Sequence, residues 1–123
     1  MNVIRKDDAP VFELPGLVVT GLASPRRGAA ETSVWWIVMA PRTPGVPHSV
    51  TREEIFVGVS GCAVVTVDGA DHCLGPGDAV IVPANTLFSL ANRSAEPFEA
   101  IVTLPVGGQA VTADRTFTPP WAE

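Results

Sequence analysis

Apolar and polar positions alternate along this chain in short runs, and no stretch repeats its apolar residues at a helical spacing. Period-two segments rich in Val, Ile, Phe and Trp predict strands over 11–14, 17–22, 33–39, 48–50, 54–59, 62–67, 71–74, 78–82, 87–91 and 98–104. Breakers separate them at Pro15-Gly16, Pro25 to Gly28, Pro41 to Pro47, Asp68-Gly69, Gly75 to Gly77, Pro83 to Thr86 and Asn92 to Pro97. Many short strands with Gly- and Pro-rich turns form a sandwich or a barrel. The expected class is all-β.

The sharpest local signal is Val67-Asp68-Gly69-Ala70. Asp-Gly accepts the two positive φ angles of a type I′ hairpin, which pairs Val64 with Cys73 and Val65 with His72. Cys62 and Cys73 then share a sheet face, and two buried thiols are expected there. Alternation also places His48 with Val50 on one face, and Glu54 with Phe56 and Gly58 on another. A glycine in that row either widens a cavity or marks a bulge. Trp35 and Trp36 must face opposite ways. The tail from Phe117 to Glu123 reads as an extended, polyproline-like arm, with Trp121 anchoring it on its own barrel or on a partner subunit.

Composition narrows the function. A chain of 123 residues with 46% hydrophobic content forms a single domain, 1–123, with its own core. A net charge of −5 with scattered basic residues argues against nucleic acid and anionic membranes as partners. The first eight residues lack a secretory pattern, and the longest apolar run, Val34 to Ala40, is too short to span a bilayer. A cytoplasmic protein is expected. Two cysteines do not make a disulfide scaffold.

Chemistry concentrates in two spaced motifs. The first is Arg42-x5-His48-x-Val50-x3-Glu54-x6-Gly61; the second is Gly77-x5-Pro83-x-Asn85-x2-Phe88-x3-Asn92. Their spacing resembles the cupin signature, G-x5-H-x-H-x3-E-x6-G followed by G-x5-P-x-G-x2-H-x3-N, over residues 33 to 104. The resemblance implies a double-stranded β-helix, a jelly-roll barrel, with N-terminal strands at 11–22 and a C-terminal arm at 105–123. It further implies a homodimer. In metal-binding cupins two histidines and the Glu of the first motif, with the histidine of the second, bind one ion. Here His48 and Glu54 stand at two of these positions, and Val50 and Phe88, which have no lone pair, stand at the others.

A useful transition-metal site draws at least three protein donors. No cofactor is therefore expected beyond a weakly bound divalent metal (Fe, Mn, Ni or Zn) on His48 and Glu54. The expected function is small-molecule binding in an apolar pocket lined by Val50, Phe56, Gly58 and Phe88. A carboxylate left in such a pocket either has a raised pKa or pairs with His48. The alternative is an enzyme acting on a small metabolite through His48 and Glu54: an isomerase or cyclase, divalent-metal-dependent or using the two as a metal-independent acid/base pair, or a dioxygenase.

Two further replacements fall on the frame. Arg42 takes the opening glycine's place and Asn85 that of the glycine in the Pro-x-Gly turn; Asn tolerates the left-handed conformation such a turn needs. Arg42 reads as a solvated loop arginine, with contact to an acidic ligand at the barrel mouth as the alternative. Asp71, His72 and Cys73 are consecutive in a strand and cannot converge on one ion. No phosphate-binding glycine loop or nucleophile elbow is present, and tyrosine is absent.

Overall fold

The computed structural model describes all 123 residues. In chain order the strands are β1 (Val11–Leu14), β2 (Leu17–Ala23), β3 (Thr32–Met39), β4 (Ser49–Val50), β5 (Glu54–Ser60), β6 (Ala63–Val67), β7 (Ala70–Leu74), β8 (Ala79–Val82), β9 (Phe88–Ala91), β10 (Phe98–Pro105), β11 (Ala110–Val111) and β12 (Thr116–Phe117). Three short 3-10 turns complete the structure. No helix is long and apolar enough to cross a membrane.

The strands form a six-stranded sheet in the order β1-β2-β3-β10-β5-β8 and two three-stranded sheets, β7-β6-β9 and β12-β11-β4. Every pairing is antiparallel. Placing β10 between β3 and β5 brings together strands remote in sequence, as jelly-roll winding requires.

Period-two alternation builds the core. Ser33, Trp35, Ile37 and Met39 of β3 face inward beside Phe98, Ala100, Val102 and Leu104 of β10, and all are buried. Each large side chain so buried contributes roughly 1.5–3 kcal/mol. The motif's last residue, Asn92, ties the layers. Its side-chain amide donates to the carbonyls of Met39, Ala40 and Glu96, so a fully buried polar group is satisfied.

The predicted hairpin forms with the expected register, and Asp68 and Gly69 have φ of 52° and 77°. Both predicted strand blocks around the motifs form. His48 lies just outside β4 and pairs with Phe88 through an isolated bridge. The buried-thiol expectation is corrected: Cys62 and Cys73 are free and exposed. Alternation establishes that they share a face, but the inward face of this sheet is the one holding Ala63, Val65 and Leu74.

Gly58 is corrected too. A side chain there would run into the Gly75 carbonyl, so the residue permits close packing of the β7–β8 turn and does not enlarge a cavity. Its alternative reading is found instead, since β5 carries a bulge between Gly58 and Ser60. The tail is not a free polyproline arm. Thr116–Phe117 pairs with β11, and Pro120–Ala122 forms a 3-10 turn. That turn seats Trp121 on its own barrel, its ring 6.0 Å from Phe12 and 6.3 Å from Trp35.

Candidate functional site

A cavity of about 430 Å³ opens within the barrel. One side is the inner face of the six-stranded sheet, through Val19, Trp35, Ile37, Met39, Glu54 and Phe56. Thr43, Pro44 and Val46 of the Pro-rich loop, with His48 and Val50, form a second side, and Phe117, Pro119 and Trp121 of the tail a third. This size suits a small organic molecule, and most of its lining is apolar.

Glu54 is the one carboxyl group on this lining. It opens β5, paired with Val82, and alternation turns its side chain inward beside Phe56. It is 5% exposed, and its Oε1 has no hydrogen-bond partner. Burial without compensation disfavours the charged form, raising its pKa from 4.5 to about 8. At neutral pH the group is mainly a protonated acid, able to donate as well as accept a hydrogen bond.

His48 is half-buried, and its Nδ1 lies 2.9 Å from the Val46 carbonyl oxygen. A carbonyl only accepts, so Nδ1 carries a proton and, in the neutral ring, Nε2 keeps the lone pair. The imidazole lies against Phe88, ring centres 4.5 Å apart. No hydrogen bond or ion pair joins His48 to Glu54. Of the two outcomes expected for the stranded carboxyl, the raised pKa is the one present.

Val50 and Phe56 line the cavity, whereas Gly58 and Phe88 do not. Phe88 is 2% exposed and wedged behind the wall, against His48 and edge-on to Phe56 at 5.9 Å. The sequence reading missed the tail's contribution, and it left open which of Trp35 and Trp36 faces in. Trp35 lines the cavity; Trp36 lies on the outer face, its Nε1 donating to Glu99 at 3.0 Å under the Lys6 ammonium. Three buried polar atoms lack partners, Ser33 Oγ, Glu54 Oε1 and Trp121 Nε1, and two of these belong to cavity-lining residues.

The donor set does not fit the metal shell of metal-binding cupins. No three His, Cys, Asp or Glu side chains are grouped to hold an ion. Val50 and Phe88 offer apolar surface at the two remaining positions, which leaves His48 Nε2 and Glu54 as two donors where a stable site needs at least three.

Comparison with known proteins agrees with this architecture. The chain is 32% identical over 108 residues to Beta-D-galactosidase Rv1717 of Mycobacterium tuberculosis, covering 85% of this chain and 93% of that protein. Among solved structures it resembles the polyketide cyclase RemF from Streptomyces resistomycificus, with a TM-score of 0.80 at 15% identity over 92% of this chain and 85% of that one. KdgF from a Halomonas species superposes with a TM-score of 0.72 at 19% identity, covering 85% of this chain and 94% of its own. At such identities the structural likeness speaks for the fold. The Cupin domain family matches residues 35–104, the span containing both motifs, and the chain therefore belongs to the cupin family.

Proposed function

We propose that the protein binds a small, largely apolar, uncharged molecule in the barrel cavity, held by a hydrogen bond to the protonated carboxyl of Glu54. The observation that carries this reading is a buried, unpartnered carboxyl on an otherwise apolar wall. An unsatisfied buried polar group costs about 1–3 kcal/mol, and a ligand oxygen placed against it recovers that cost. The aromatic walls, Trp35, Phe56, Phe117 and Trp121, suit a flat ring system. Trp121 Nε1 is a second donor without a partner in the chain.

A second reading, proton-transfer catalysis, is favoured by the pKa of about 8, which keeps both forms of Glu54 accessible near neutral pH. The protonated carboxyl would give a proton to a carbonyl oxygen, and His48 Nε2 would take one from a neighbouring carbon. Isomerisation and cyclisation are reactions of this kind. Glycoside hydrolysis, the activity in the name of the mycobacterial relative, usually needs two carboxyl groups flanking the bond, and this cavity has one.

Quenching of tryptophan fluorescence by 1-tetralone, a neutral bicyclic ketone, tests the binding reading. Saturable quenching, weakened on the order of tenfold in Glu54→Leu, is expected; binding of galactose but not of tetralone contradicts it. Turnover of a nitrophenyl galactoside that disappears in Glu54→Gln would replace the binding reading with catalysis.

A homodimer belongs to the same proposal. The outer face of the six-stranded sheet exposes Val18 and Ile81 and carries Trp36, Val38, Ile55, Val57 and Ile101 half-buried. Sedimentation equilibrium at twice the chain mass is expected, and a monomer throughout the micromolar range contradicts it.

A further inference from the structure

The Pro-rich loop that walls the apolar cavity has a second, polar side. A groove of about 460 Å³ lies there between Arg42, Thr43 and Gly45 of the loop and Ser89, Asn92 and Arg93 of β9 and its exit. Thr43 and Pro44 line both spaces, so a single strand of loop separates them. The groove sits over the outer face of β9, since Phe88 and Leu90 point inward and Ser89 outward.

Its charged side chains are two guanidinium groups. The Arg42 guanidinium has no hydrogen-bond or ion-pair partner. Arg93 spends one N–H on Asp71 at 3.0 Å, leaving the rest of its fork. The backbone N–H of Gly45 donates to no group in the chain, whereas that of Thr43 faces the Asn92 carbonyl across an antiparallel bridge. The Asn92 amide is already committed to three carbonyls and takes no part. Asp71 neutralises one of the two guanidinium charges, so the groove keeps a net positive charge on a protein of net charge −5.

Arg42 also occupies its place against local preference. Its φ is 57°, the left-handed region where its side chain is disfavoured, at the position that the cupin signature gives to glycine. Strained backbone of this kind persists at functional sites when the side chain it presents is needed.

We propose that this groove is a binding site for a phosphate-class oxyanion, free or as a monoester, held by the guanidinium groups of Arg42 and Arg93 with the N–H of Gly45. It is separate from the Glu54 cavity and does not depend on what that cavity holds.

The test is titration of the intact protein with inorganic phosphate and with phenyl phosphate at constant ionic strength. Chloride serves as the control, and the ¹H–¹⁵N shifts of Thr43 and Gly45 are followed. Saturable shifts absent with chloride are expected, and the tighter of the two ligands identifies the source of the oxyanion. Arg42→Gly is the decisive variant, because it removes the guanidinium while restoring the residue that suits the backbone. Binding should weaken on the order of tenfold or more while the melting temperature rises. Arg93→Gln should weaken binding as well. Shifts equal to those from chloride, or unchanged affinity in Arg42→Gly, would overturn the site.

Discussion

Two carboxyl groups in this small barrel have opposite surroundings. Asp71, on the outer face of the β7-β6-β9 sheet, accepts hydrogen bonds from Thr66 at 2.6 Å and Arg93 at 3.0 Å, and these hold its pKa below the ordinary value. Glu54, on the inner face of the six-stranded sheet, has no partner for its Oε1, and burial raises its pKa to about 8. The exposed acid is satisfied and structural. The buried acid is left unsatisfied by the fold, and that contrast, more than the family's ligand positions, two of which carry Val50 and Phe88, is what makes the cavity a candidate site.

The largest expected effect comes from the packing behind His48 and Phe56. Phe88→Ala removes a buried ring that supports both His48 and Phe56, and should destabilise the protein by about 3–5 kcal/mol in urea denaturation. A loss under 1 kcal/mol would mean that the ring is not packed as described.

Glu54→Gln should act in the other direction. A carboxyl whose folded pKa is raised lets the unfolded chain release its proton first, so stability falls as pH rises from 4.5 toward about 8. The variant removes that slope and should be more stable than the parent by roughly 3 kcal/mol at pH 7, less any cost of burying the amide. Denaturation at pH 5 and pH 8 checks the sign, and a parent protein that gains stability over this range contradicts it.

Smaller still, Arg42→Gly should raise stability by about 1 kcal/mol by relieving the left-handed arginine, as seen in the melting temperature. Asp71→Asn should change stability least. Asp71 has a lowered pKa, so its contribution is present at neutral pH and disappears only as pH falls through that value; the exposed ion pair adds little. If Asp71→Asn and Glu54→Gln shift stability at pH 7 equally and in the same direction, the contrast between the two acids is wrong.

Much of this fold was readable from alternation and turn chemistry. The Asp68-Gly69 hairpin set the register of β6 and β7, and the runs around Trp35, Phe56 and Val102 predicted their strands. Period two tells which residues share a face, but not which face is inside. Cys62 and Cys73 were misplaced for that reason, and the choice between Trp35 and Trp36 stayed open. The tail was harder. β11 and β12 have two residues each, too few to show a period, so the cavity wall formed by Phe117 and Pro119 gave no local signal. Gly58 and Phe88 depend on contacts remote in sequence, with Gly75 and with the His48 and Phe56 rings. Spacing marked His48 and Glu54 as candidates, but only packing separates an acid/base pair in contact from a lone buried acid beside a tethered histidine.

The central claim is that Glu54 is an unpaired, protonated acid in an apolar cavity. Its most direct test is a ¹³C NMR titration of the side-chain carboxyl, assigned by its loss in Glu54→Gln. A midpoint near 8 is expected from burial alone. A midpoint near the ordinary 4.5 would show that water or a partner reaches the group, and would contradict the account.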